Sequence, residues 1–177
     1  MTQNRPQASE YAPYYEKYVE LVPDGEIVET LGAQLREMKL LLGTLNDQEA
    51  EFRYAAGKWS IKEVLGHISD TERIFAYRML RIARADQTPL AGFEQDDYVK
   101  TGNFSARPLA ELLEEFAAAR RATITLARSL DDAAWLRWGV ANQKEISVRA
   151  QAFIIAGHER HHRMVLQERY FPALPRG

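Results

Sequence analysis

Apolar residues return every three or four positions along most of the chain, the spacing that lines one face of an α-helix. Over residues 24–45 the repeat runs through Ile27, Leu31, Leu35, Met38 and Leu42 and predicts a first amphipathic helix with Asp24 as its N-cap. A short acidic stretch, NDQEAEF, follows, and Gly57 interrupts the pattern before Lys58 and Trp59. Ser60 and Glu63 stand at capping-box spacing, in which each side chain satisfies a free backbone N–H, so a second helix is expected over residues 60–84. Pro108 suits the first turn of a third helix, where its missing N–H costs nothing; that helix runs through LAELLEEFAAARRATITLARSL. Ser147 caps a fourth, which ends before Pro172.

Residues 85–107 lack any sustained period and are rich in Gly, Pro, Asn and Asp, which reads as one long crossover loop. Loops of that length tend to be functional, and the stretch around Gly92 and Tyr98 is expected to narrow the entrance to whatever the helices hold. A short acidic, tryptophan-bearing link, DDAAWLRWG, joins the third and fourth helices. No strand pattern or repeat stands out. The expectation is an all-α four-helix bundle, residues 24–171, with the aromatic N-terminus, residues 1–23, strapped outside it and the whole chain, 1–177, one domain. The long crossover predicts helices that pair across the bundle rather than only with their sequence neighbours.

Composition removes several classes of function. With 25 acids against 23 bases, a formal charge of -2 and no basic block, a nucleic-acid partner is not expected. The absence of cysteine excludes disulfides, thiolate metal sites and cysteine nucleophiles, so any metal must sit on imidazole and oxygen. No segment approaches the ~20 apolar residues of a membrane span, and the N-terminus lacks a signal peptide's apolar stretch. No membrane partner is expected, and the cytoplasm is the expected compartment.

The chain has 4 histidines, three of them within HERHH near the end of the fourth helix. His158 and His162 lie four apart and so point the same way, one turn apart, where both imidazoles reach one ion. Their face also carries Ile154, Ile155, Val165 and Leu166 and therefore turns inward, where unpartnered imidazoles are costly. His67, on the second helix, supplies a third ligand, and three protein ligands leave a position for water or substrate. A lone core histidine, or a solvated histidine face, is the competing reading. His161 lies at the edge of the pair's face. Glu159, His161 and Asp70 are the candidates for orienting ligands or moving protons; the EQDD run of the loop is a weaker one, because acidic loops are usually only solvated. HERHH matches the H-E-x-x-H of zinc proteases, but Val165 occupies the position of the turning glycine, and Glu168, at the third-ligand spacing, points away on an uninterrupted helix.

Three segments, GKWSIKEVLGHISDTERIFAYRMLRIAR, GFEQDDYV and IIAGHERHHRMVLQERY, resemble in order and kind the DinB-like superfamily, especially its YfiT-type branch of metal-dependent hydrolases. The resemblance implies a four-helix bundle whose metal is held by one histidine of the second helix and an H-x3-H pair of the fourth, here His67, His158 and His162. It also implies two expected functions. The first is a hydrolase in which a divalent ion activates water. The second is an S-transferase using a low-molecular-weight thiol such as bacillithiol. The alternative from another class is a non-catalytic, stress-related metal-binding bundle, in which the ion closes the fold. Imidazole ligands suit zinc or nickel first, with iron, manganese and copper as alternatives. The partners expected are a small-molecule substrate, the thiol in the transferase reading, and a second copy of the chain in a homodimer.

Overall fold

The computed structural model describes residues 4–175. One-turn 3-10 segments, Ala8–Glu10 and Pro13–Tyr15, lead into the short helix α1 (Glu16–Val19) and then α2 (Ile27–Leu42), α3 (Ile61–Ala83), α4 (Gln95–Thr101), α5 (Leu109–Arg128) and α6 (Asp132–Trp135). A hairpin of β1 (Trp138–Ala141) and β2 (Lys144–Ser147) precedes α7 (Val148–Val165), which continues through a π-helical turn at Leu166–Tyr170. The four long helices, α2, α3, α5 and α7, form the bundle. α2 packs on α5 and α7, and α3 packs on the same two, so the consecutive helices α2 and α3 lie on a diagonal. No helix of the described residues is long and apolar enough to cross a membrane.

Two of the expected helix starts are as read. Ser60 Oγ accepts from the Glu63 N–H (3.2 Å) while Glu63 Oε2 accepts from the Ser60 N–H (2.7 Å), and Ser147 Oγ accepts from the Ala150 N–H (3.1 Å). Asp24 is not a cap. α2 begins later, after Glu26, and the Asp24 carboxylate instead takes a hydrogen bond from Arg5 (3.1 Å). The crossover loop is also more ordered than its composition suggests, since it contains α4 and a 3-10 turn at Phe104–Ala106. The link after α5 holds the hairpin. Its two-residue turn puts Asn142 (φ 50°) and Gln143 (φ 63°) both in the left-handed region, which matches the twist of paired strands.

A polar layer divides the interior into two apolar clusters, and every bundle helix crosses it. α2 passes from Leu31 through Gln34 to Met38, α3 from Phe75 through Glu72 to Ile68, α5 from Ile124 through Arg120 to Phe116, and α7 from Ile155 through Glu159 to Leu166. Arg120, fully buried, donates to Glu72 Oε1 (2.7 Å) and Gln34 Oε1 (2.8 Å), and Gln34 Nε2 donates to the Ala156 carbonyl (2.8 Å). Slipping any one helix would strand a buried charge or amide, a penalty of several kcal/mol, so the layer fixes the helices' axial register.

The expected N-terminal strap is present, with residues 1–3 of it outside the described residues. It is built into the core more than laid over it. The buried Glu10 carboxylate accepts from Ser147 Oγ (2.6 Å) and Arg149 Nε (2.7 Å), and α1 packs against α7. That approach needs Gly157, because a Cβ there would stand 2.0 Å from the Tyr18 carbonyl oxygen. Tyr18 is thereby held with its ring 5.4 Å from that of His158.

Candidate metal centre

α3 and α7 are neighbours in the bundle, and the faces they turn toward one another bring His67, His158 and His162 together. Their candidate ligand atoms all lie within 4.8 Å of one another. His158 Nε2 is central, 3.0 Å from His67 Nε2 and 3.2 Å from His162 Nε2. Nitrogens held at about 2.0–2.1 Å from a tetrahedral ion stand about 3.3–3.4 Å apart, close to the two spacings around His158. The walls are aromatic, with Trp59 against His67 (centroids 4.8 Å apart) and Tyr18 and Phe75 against His158 (5.4 and 6.1 Å).

The electrostatics suit a cation. Burial holds the His67 pKa down at about 4, and burial together with the neighbouring imidazoles holds His158 and His162 well below the ordinary value. All three rings are therefore neutral at pH 7, each with one N–H and one lone pair. Hydrogen bonding among themselves cannot satisfy them. His158 Nε2 has either a single proton or a single lone pair to offer, and two nitrogens face it. One ion would engage all three lone pairs, so the donor set fits a divalent metal.

The triad faces a cavity on each side. The first, about 260 Å³, is bounded by His158, Thr71, Phe75, Arg78, the tyrosines of the strap and residues 92–96. The second, about 460 Å³, is bounded by His161, His162, Trp59, Tyr54, Val165 and Arg169. Asp96 lines both. The stretch around Gly92 thus lies over the site, and the hairpin fastens it there: Leu90 donates to the Val140 carbonyl and accepts from Asn142 N–H, both 2.9 Å.

The remaining sequence candidates separate. His161 belongs to the site's surroundings: it lines the second cavity and its ring is 5.1 Å from that of His162. Glu159 instead enters the polar layer. It accepts from Arg163 Nε (3.1 Å), lies outside both cavities, and burial raises its pKa to about 7 against the pull of Arg120 and Arg163. Asp70 lies outside both cavities as well, beside Arg73 (3.5 Å). Asp96 and Arg78 are the charged groups that the sequence reading underweighted or missed. For Arg78 a signal existed, because it follows His67, Thr71 and Phe75 on one face of α3 at helical spacing.

Fold and site together define a four-helix bundle with a buried three-imidazole cluster suited to a divalent ion. Comparison with known proteins adds the lineage. Residues 30–166 match the model of the DinB superfamily, and the chain belongs to that superfamily. A protein of Oceanobacillus iheyensis named as a putative metal-dependent hydrolase is 24% identical over 151 residues, covering 80% of this chain and 86% of its own. The structure of YfiT from Bacillus subtilis, described as a probable metal-dependent hydrolase with an unusual four-helix bundle topology, superposes with a TM-score of 0.70 at 17% identity, over 92% of this chain and 89% of that one. At that identity the likeness speaks for the fold.

Proposed function

We propose that the chain is a metal-dependent hydrolase whose divalent ion is held by Nε2 of His67, His158 and His162. The observation that carries this reading is the convergence of three neutral, mutually unsatisfied imidazoles on one point between two cavities. The hydrolase names of two family relatives add to it. When bound, such an ion supplies Lewis acidity and lowers the pKa of an adjacent water toward neutrality.

The chain's own groups divide the remaining work. The three histidines would hold the ion, and three protein ligands leave at least one position for solvent or substrate. Thr71 Oγ1, 3.5 Å from His67 Nδ1, steadies that ring, and Trp59, Tyr18 and Phe75 exclude bulk water. Asp96, the carboxylate common to both cavities, would be the group to take up a proton from water activated there.

A second reading, transfer to a low-molecular-weight thiol, draws on one specific observation: two cavities flank the triad, and a transferase must house two reactants. One experiment addresses both. Metal-depleted protein is reloaded with zinc, nickel, iron or manganese and assayed on ester and amide panels in water, then on electrophiles with an added thiol. Metal-dependent turnover in water, lost in His162→Ala and strongly reduced in Asp96→Asn with metal retained, supports the hydrolase. Turnover that consumes thiol one for one supports the transferase. Absence of metal-dependent turnover of either kind leaves a non-catalytic metal-binding bundle.

A further inference from the structure

Two arginines of the bundle are buried, and only one has a counter-charge. Arg120, 0% exposed, lies 2.7 Å from Glu72. Arg78, 3% exposed, has no carboxylate within 4.0 Å among the described residues. Its Nη2 donates to the Ala91 carbonyl (2.6 Å), its guanidinium lies 5.4 Å from the Phe75 ring and 5.9 Å from the Phe93 ring, and the Tyr15 phenol approaches it. Burying an unpaired guanidinium is costly, and the cost shows as a pKa held below the ordinary arginine value by desolvation. A fold that keeps such a charge gains if a ligand supplies the missing anion.

The position indicates which ligand. Arg78 and His158 line the same cavity, on either side of Phe75, whose ring is 6.1 Å from that of His158. An anion held by Arg78 therefore leaves the rest of its molecule directed along an aromatic wall toward the triad. Glu94 and Asp96 stand at the exposed mouth of this cavity. They would repel a doubly charged phosphate more than a singly charged carboxylate, and the planar guanidinium fork matches a carboxylate's two oxygens.

We propose that Arg78 is a substrate-binding residue that holds a carboxylate group in the cavity beside His158, so that the site selects small carboxylic acids. That the carboxylate belongs to a substrate rests on the metal-enzyme reading above; the anion site itself does not. The test is calorimetric titration of 3-phenylpropionate and its uncharged counterpart 3-phenylpropionamide into metal-free and zinc-loaded protein. The carboxylate binds about ten- to a hundredfold more tightly than the amide, the range expected of charge-assisted hydrogen bonds. Arg78→Met removes that preference in the metal-free protein, and Arg78→Lys, which keeps the charge but not the fork, retains part of it. Equal affinities in the wild type, or a preference that survives Arg78→Met, overturn the proposal. If Arg78→Met does not fold, as judged by thermal unfolding, Arg78→Lys decides: carboxylate affinity indistinguishable from wild type is the contrary result. Failure of the metal reading appears separately, as wild-type protein that retains no zinc after dialysis, and leaves the metal-free titrations interpretable.

Discussion

His67 Nε2 and His158 Nε2 lie 3.0 Å apart although 91 positions separate the two residues in the chain. The contact follows from register. The Ser60–Glu63 box sets where α3 begins, and the layer joining Glu72, Arg120, Gln34 and Ala156 locks α3 and α7 to α2 and α5 about one turn away from the histidines. The site is therefore built by the bundle, and disturbing it from different directions should have different consequences.

His162→Ala should abolish tight metal binding, because it removes one of three ligands. Glu159→Gln should leave the metal in place, because Glu159 contacts Arg163 in the polar layer and lines neither cavity. Metal content per chain after dialysis distinguishes the two; metal lost from Glu159→Gln, with the fold intact by circular dichroism, would show that Glu159 supports the site directly.

Gly157→Ala should detach the strap. The added Cβ would stand 2.0 Å from the Tyr18 carbonyl oxygen, a backbone atom that can yield only if α1 moves. Overpacking of this kind costs about 1–3 kcal/mol. A lower melting temperature is expected, with faster limited proteolysis within residues 11–22; unchanged cleavage would mean that α1 approaches α7 less closely than described.

Ser60→Ala should cost about 0.5–2 kcal/mol in urea unfolding, since it removes the acceptor for the Glu63 N–H and one half of the capping box. A loss near zero would argue that the Glu63 side chain, which also pairs with Arg53, caps α3 alone.

Acid should loosen the strap through Glu10. Burial alone would raise its pKa, but hydrogen bonds from Arg149, Ser147 and the Gln7 N–H hold it below the ordinary value of 4.5. A carboxyl whose folded pKa is depressed contributes stability that is fully present above the unfolded value and is lost as pH falls through the folded one. Below pH 4.5 the wild type should thus lose stability that Glu10→Gln never had, and the two unfolding curves should converge. Parallel curves across that range would remove Glu10 from the account.

The long helices, the Ser60 and Ser147 caps and the histidine cluster were legible because each is local: a 3.6-residue period, a three-residue cap spacing, an i, i+4 pair. The hairpin was not, since its strands are four residues each and its turn, Asn142-Gln143, lacks the glycine that usually announces left-handed backbone. α4 was hidden by its seven-residue length within a polar stretch. Glu159 sits beside His158 in sequence, but a rotation of about 100° per residue turns it toward the polar layer, which sequence adjacency does not reveal. Asp96 gained weight only when tertiary structure put it on both cavities, and Arg78 only when its lack of a carboxylate partner could be seen.

Whether the three histidines hold one metal ion is tested by anomalous diffraction from crystals of metal-loaded protein, recorded at the absorption edges of zinc, nickel, iron, manganese and copper. One strong peak is expected about 2.0–2.2 Å from Nε2 of His67, His158 and His162, with no fourth protein side chain in the coordination sphere. A peak elsewhere, no peak, or a fourth protein ligand closing the site would contradict the open three-histidine site.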